Sequence, residues 1–491
     1  MLPPPPTGFS NPRHRAEVIH HFASVGFDGQ AVARLTQHYQ RDVLEPRARS
    51  LMLRATDSFE PRAVLLRLFI LGEPVPPIAA EAGLGSVPVT AWLDAGYLEQ
   101  MSDGTMRAPI TIWPLAGIWV AADRDPRESG DPSVVMGVSG STETLARIAV
   151  RGSDIARAAD IGTGSGILAL ILSRYATSVI ATDLEPRSIA FAEVNARLND
   201  IGNVQFRVGD GVEPIAHDQF DRILCNPPFV LSPKRRFTYR DGGPGFIQKL
   251  LRDLPGVLAP GRFAQLLAQW PIRAGETPHE ILRWFETAPT DVEVLLGRIH
   301  PAEAYATRWV GSPSQSEEPG ADELALWLDR FQELGIQQVA EGLVTLRTPQ
   351  VVGPAHRALE PVPPRMDDKT ALELERRFLR NDFQRRHAGD ELLLAHLRVS
   401  PGVRIMQETE ARNDGWSAPR LRLSVTTGLV RDREIDSSIL ALVTTFDGAR
   451  SLAAVFGELS IDASTTPDED SPTWLEIARA LLSEGFLEFA E

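Results

Sequence analysis

A single cysteine, Cys225, in 491 residues excludes any disulfide within the chain. No apolar run reaches the 18 residues that a membrane-crossing helix needs, and no secretory signal is legible. The expectation is a cytoplasmic protein with no membrane partner. Positive charge is also short: 50 Lys and Arg stand against 65 Asp and Glu, for a net charge of −15 and a pI near 5.3. That balance argues against a general polyanion binder but leaves room for a local basic site. Hydrophobic residues at 43% and charged residues at 23% describe a soluble globular protein, and the length exceeds one ordinary core.

Composition shifts divide the chain. Residues 1–12 are proline-rich and expected to be disordered. Residues 13–123 carry helical patterns near 15–24, 28–39 and 61–71, two short helices within 75–95, and a hairpin signal at 97–113, which suggests a winged-helix-like domain. After a charged linker, residues 133–349 alternate apolar strand patterns (near 155–161, 178–183, 203–208, 220–225 and 261–268) with helical ones, the mark of a parallel sheet covered on both faces. Strands near 292–299 and 339–347 complete a seven-stranded, Rossmann-like α/β domain, with a helix at 322–334 inserted between them. Residues 350–366 are proline-rich and read as a linker before an α+β domain at 367–491. Residues 92–99 and 481–488 echo each other, each placing a glycine after a helix and before an aromatic-Leu-Glu strand, so a second winged-helix-like module is expected at the C-terminus.

Within the central domain, residues 160–166 (Asp-Ile-Gly-Thr-Gly-Ser-Gly) join an apolar strand to an apolar helix. Gly162, Gly164 and Gly166 allow close backbone approach, and the helix end offers free N–H groups. The spacing is G-x-G-x-G rather than the dinucleotide fingerprint. The next two strands also end in acids, at Asp183 and at Gly209-Asp210, placed for a ribose diol and an adenine edge. The fourth strand runs into Asn226-Pro227-Pro228-Phe229.

These motifs, in this order over roughly residues 137–270, resemble the class I S-adenosylmethionine-dependent methyltransferases. The Asn-Pro-Pro-Phe resembles their amino-methylating branch, which includes release-factor glutamine methyltransferases and RNA guanine and adenine N-methyltransferases. The resemblance implies S-adenosylmethionine as cofactor, no metal, and a cofactor site formed by Asp160, Gly162, Thr163, Gly164, Gly166, Asp183, Leu184, Asp210, Gly211 and Asn226. It implies that Asn226 Oδ1 and the Pro227 carbonyl accept the two N–H groups of a planar nitrogen, with Pro228 stiffening the loop and Phe229 stacking on the substrate. A segment near 135–141 is expected to close over the methionine end of the cofactor.

Cys225 could serve as a nucleophile, but amino methylation needs none, and an apolar strand suits a structural thiol. Lys234, Arg235, Arg236 and Arg240 follow the motif in an otherwise acidic chain, and are expected to contact substrate phosphates; a solvated basic loop is the plain alternative. The leading expectation is an N-methyltransferase for an RNA base, a guanine or adenine exocyclic amine. Methylation of a release-factor glutamine is the alternative, and a non-catalytic scaffold the third. A DNA adenine methyltransferase would need a target-recognition domain, and none is evident.

Overall fold

A computed structural model describes residues 2–38, 46–124, 131, 133–149, 154–233, 240–241, 245–286, 289–310, 321–363, 366–412, 415–417, 419–426, 428–467 and 472–490. The chain forms two compact units. One comprises Met1–Ala146, Asp154–Glu286 and Leu296–Thr345, and the other Arg147–Ser153, Thr287–Leu295 and Leu346–Glu491.

The first unit holds the strands β1 (Ile155–Ile161), β2 (Ala176–Asp183), β3 (Val204–Val208), β4 (Phe220–Cys225) and β5 (Leu258–Arg273) and the greater part of β6 (Asp291–Pro301) and β7 (Ile336–Arg347). Their order across the sheet is β6-β7-β5-β4-β1-β2-β3, with an eighth strand, Arg357–Pro361, at the edge beside β6. The β1–β2, β2–β3, β1–β4 and β4–β5 pairs are parallel. The order reverses between β1 and β4, and the loops after these strands open a crevice at that switch point. This is the Rossmann-like architecture that the strand and helix alternation implied.

The N-terminal part of this unit is bound to the sheet through polar complementarity as well as apolar packing. A hairpin of Ile110–Leu115 and Ile118–Asp123 turns at Ala116 and Gly117, both at positive φ (48° and 75°). Its second strand is buried along its whole length, so it lacks the alternation by which a strand is recognised in sequence. The outer edge of that strand meets the helix Pro186–Leu198. Asn195 accepts from Ala121 N–H (2.7 Å) and donates to Ala121 C=O (2.8 Å); Asn199 does the same for Trp119 (2.8 Å and 2.8 Å). Four residues on a helix rise about 6 Å and two on a strand about 6.7 Å, so the two asparagines fall in register with alternate strand residues. Phe191, Val194 and Leu198 of the same helix join the core of the N-terminal part.

The proline-rich start is ordered, contrary to expectation. Phe9 is buried, stacked on Tyr97 and edge-on to Trp92, while Thr7 N–H bonds to Ala95 C=O and Arg187 to Pro3 C=O. One aromatic anchor and these backbone bonds fix a segment whose composition alone reads as loose. A helix Ala302–Val310, absent from the sequence reading, precedes the inserted helix Ala321–Glu333; residues 311–320 lie outside those described.

In the second unit a long helix, Asp368–Arg386, and Trp474–Ser483 pack with two three-stranded sheets. The stretch expected as a linker contains a strand, Arg357–Pro361, whose Glu360 binds Arg377 and Arg431 (2.7 Å and 3.1 Å). The proline that ends it suits an edge position and does not require a flexible tether. Gly96 (φ 78°) and Gly485 (φ 84°), the echoed glycines, both end helices in the left-handed region before a buried aromatic and a short strand. Among the described residues no helix is long and apolar enough to cross a membrane.

Candidate active site

The glycine turn after β1 is shaped by Asp160 from below. Its carboxylate is fully buried and accepts from Thr163 Oγ1 (2.6 Å) and from the Ala169 N–H (2.9 Å) in the following helix. Asp160 and Gly166 do not line the cavity above the turn. Gly166 instead lets the helix approach Ala192, whose Cβ would stand 3.0 Å from a side chain there. Gly162 and Gly164 do line it. Both hold positive φ (72° and 53°), and a Cβ on either would meet no protein atom within 4 Å, because it would enter the cavity itself.

Burial raises the Asp160 carboxyl to about 7 against the opposing pull of the Thr163 and Ala169 hydrogen bonds. A raised folded-state value means that protonation favours the folded protein, so this group's contribution is lost as pH rises from about 4 through about 7. Asp160→Asn keeps an oxygen that can accept from both Thr163 Oγ1 and Ala169 N–H and removes the charge. Its unfolding free energy relative to wild type should therefore rise by about 2–4 kcal/mol between pH 5 and pH 8, then level off. Denaturant titrations of both proteins across that range check it; a pH-independent difference would show an ordinary carboxylate.

The cavity measures about 770 Å³, within the range of ligand sites. Its cofactor side carries Gly162, Thr163, Gly164, Asp183, Leu184, Asp210 and Gly211. Asp183 is held rigidly, accepting from Gly164 N–H (2.8 Å) and Glu185 N–H (2.9 Å), and burial raises its carboxyl above the usual range. Cys225 also borders the cavity, but burial, then the nearby Asp160 and Asp183, push its thiol well up, so it offers no thiolate.

The segment 134–142 forms the facing wall and is tied at both ends. Val135 exchanges bonds with Asp123, Ser165 Oγ donates to Met136 C=O (3.0 Å), and Asp123 pairs with Arg187. Its hydroxyls reach the motif after β4. Asn226 Nδ2 donates to Thr142 Oγ1 (3.0 Å) and Ser141 Oγ (3.2 Å), and Ser139 Oγ bonds to both hydroxyls. Asn226 Oδ1 is shielded from water and has no hydrogen-bond partner among the described residues. An orphaned buried acceptor is costly and rare, and at a cavity wall it marks a place for a donor from a ligand.

Asn226, Pro227, Pro228 and Phe229 all line this cavity. Beyond them lie Gln269 of β5, Glu341 of β7, and Arg308 and Trp309 of the helix Ala302–Val310. Sequence reasoning missed these, because strand pairing and an unforeseen helix bring them in; it placed Ser141 in the segment expected over the cofactor but foresaw neither its bond nor that of Thr142 to Asn226. Lys234, Arg235 and Arg236 lie outside the described residues. Of Arg240 only the backbone is described, paired beside Val230.

Residues 139–240 match the family described as the methyltransferase small domain. Those residues belong to the class I S-adenosylmethionine-dependent methyltransferases. The flanks match families described as domains of unknown function, DUF7059 over residues 24–109 and DUF7782 over 375–489. Among curated relatives, the release factor glutamine methyltransferase of Xylella fastidiosa (strain 9a5c) is 33% identical over 147 residues, covering 26% of this chain and 54% of that protein. That of Aliivibrio fischeri is 45% identical over 74 residues, covering 14% and 26%. The ribosomal protein L11 methyltransferase of Lactobacillus gasseri is 35% identical over 103 residues, covering 20% and 31%. The chain thus spans about half the length of the first of these relatives, and less of the other two. The methyltransferase domain uses S-adenosylmethionine as a class, and the open glycine cradle beside fixed acids fits that cofactor.

Proposed function

We propose that the chain transfers a methyl group from S-adenosylmethionine to a planar amino nitrogen of a macromolecule, an exocyclic amine of an RNA base. The observation that carries this reading is Asn226, its Nδ2 pinned by Ser141 and Thr142 and its Oδ1 left without a partner in the cavity that also holds the glycine turn.

The cofactor supplies an electrophilic methyl on a sulfonium whose sulfur leaves as a neutral thioether. The chain's task is to aim a poor nucleophile. An exocyclic amine is flat because its lone pair is delocalised, and its two hydrogens lie in that plane. Asn226 Oδ1 and the Pro227 carbonyl accept those hydrogens, presenting a face of the nitrogen to the methyl and favouring the positive charge that develops. The N–C bond forms as the S–C bond breaks, the sulfur keeps the electron pair, and the nitrogen releases one proton to water. Cofactor-side roles fall to Gly162, Gly164 and Thr163 at the methionine end, to Asp183 and Leu184 at the ribose, and to Asp210 and Gly211 at the adenine. Asp160 acts beneath them by fixing the turn.

An RNA acceptor is supported by the basic run Lys234, Arg235, Arg236 and Arg240 directly after the motif, and by Arg308 at the cavity. The second reading, a protein glutamine, is supported by the names of the relatives from Xylella fastidiosa and Aliivibrio fischeri. Mass spectrometry of bulk RNA and of release factors from cells lacking the protein tests both. Loss of one methylated RNA nucleoside is expected; loss of methylglutamine in a release factor instead would move the assignment to protein.

A further inference from the structure

We propose that Glu341 is a specificity residue that reads the N–H beside the target amine, which makes guanine, methylated at its N2 amino group, the acceptor. This rests on the methyl-transfer reading above and deepens it.

The acceptor end of the cavity follows from the sheet. Cys225, just before Asn226, pairs with Leu266 of β5, and Gln269 lies three residues further along that strand, roughly 10 Å at about 3.3 Å per residue. Next to β5 stands β7, carrying Glu341. Gln269 and Glu341 therefore lie on the far side of Asn226 from the glycine turn, and both border the cavity.

A chain of hydrogen bonds dictates what each group can do there. Leu231 N–H, just past the motif, donates to the Tyr305 hydroxyl (3.1 Å), so the hydroxyl proton is free to go to Gln269 Oε1, as it does. With its oxygen occupied, Gln269 must present its Nε2, which donates to Glu341 Oε2 (3.3 Å). His300 Nε2 approaches the same oxygen at 3.6 Å. The Gln269 amide thus occupies Oε2, while Oε1 has no partner among the described residues. The Glu341 side chain keeps 28% exposure at the cavity, so Oε1 is an acceptor available to a ligand.

A carboxylate acceptor sorts the planar amino groups. In adenine and cytosine the ring atom next to the amine is a bare nitrogen, itself an acceptor, and a carboxylate there would repel it. In a glutamine amide the neighbour is a carbonyl oxygen, again an acceptor. Only guanine carries an N–H, at N1, beside its amino group. Asn226 Oδ1 and the Pro227 carbonyl take the N2 hydrogens, and Glu341 takes N1–H on the same edge. The surroundings fit a nucleotide. Phe229 and Trp309 supply aromatic surface, and exposed Arg308, its guanidinium 5.6 Å over the Trp309 ring, pairs with no carboxylate among the described residues and is available to a phosphate.

The test uses the full chain, methyl-labelled S-adenosylmethionine and total RNA from cells lacking the protein, with nucleosides separated after digestion. Label is expected in N2-methylguanosine. The isosteric Glu341→Gln should lower it about ten- to hundredfold, the worth of one specific base contact, while S-adenosylmethionine affinity stays within about twofold. Binding of 5′-GMP and 5′-AMP to protein saturated with S-adenosylhomocysteine gives a second measure: wild type prefers GMP, and Glu341→Gln loses that preference. Label in an adenine amine, or in a protein glutamine when a release factor is offered in place of RNA, overturns the guanine assignment and leaves methyl transfer standing. Cofactor binding with no label and no preference for GMP also overturns it. Failure to bind the cofactor overturns the reading on which it rests.

Discussion

Asn226→Ala is expected to cut methyl transfer by about a hundredfold or more, with S-adenosylmethionine affinity nearly unchanged. The size follows from comparable losses when one fixed group that stabilises transition-state charge is removed. The selectivity follows from geometry. Asn226 Nδ2 is fully engaged by Ser141 and Thr142, which leaves Oδ1 for the acceptor nitrogen in the proposed reading, where charge appears only during transfer. Single-turnover rates with cofactor saturating separate this from a binding defect. Near-normal turnover in the variant would remove Asn226 from the chemistry.

The second large effect is structural. Asn195→Leu should lower the unfolding free energy of the first unit by about 3–5 kcal/mol. Asn195 is fully buried and bonds Ala121 N–H, Ala121 C=O and Ser165 C=O, all of which the leucine would strand. Each buried, unpaired backbone group costs about 1–3 kcal/mol. Ser165 lies in the glycine turn, so cofactor binding should weaken in the same variant. Glu193→Ala, on the exposed face of the same helix, should change stability by less than about 0.5 kcal/mol. Denaturant unfolding of the two variants beside wild type decides the point; equal stabilities would show that the strand edge does not depend on the asparagine.

What could be read from the sequence was what local chemistry determines. Glycines and acids at strand ends announce themselves by spacing, and the parallel strands by apolar runs between helical patterns. The Asn-Pro-Pro-Phe carried its own geometry because prolines leave a loop few choices. Long-range pairing was not legible. Gln269 and Glu341 sit in strands with nothing unusual around them, and only the β4–β5–β7 order sets them beside Asn226. Thr142 read as an ordinary helix start, and nothing around Ser141 foretold its bond to Asn226. Asp160 looked like a ligand contact because its position in the motif is conspicuous; its Oδ2 accepts from Thr163 and Ala169, while its buried Oδ1 has no partner among the described residues. Proline content misled twice, at Phe9 and at Glu360, where a single buried or ion-paired side chain orders a segment that composition describes as loose.

The central claim is that the cavity over the glycine turn is a cofactor site, and titration calorimetry of S-adenosylmethionine and S-adenosylhomocysteine into the full chain tests it most directly. The account predicts saturable one-to-one binding of both. Asp183→Ala should bind about 1–3 kcal/mol more weakly, since it loses charged hydrogen bonds to the ribose. No heat and no thermal stabilisation with either ligand, from protein shown to be folded, would contradict it.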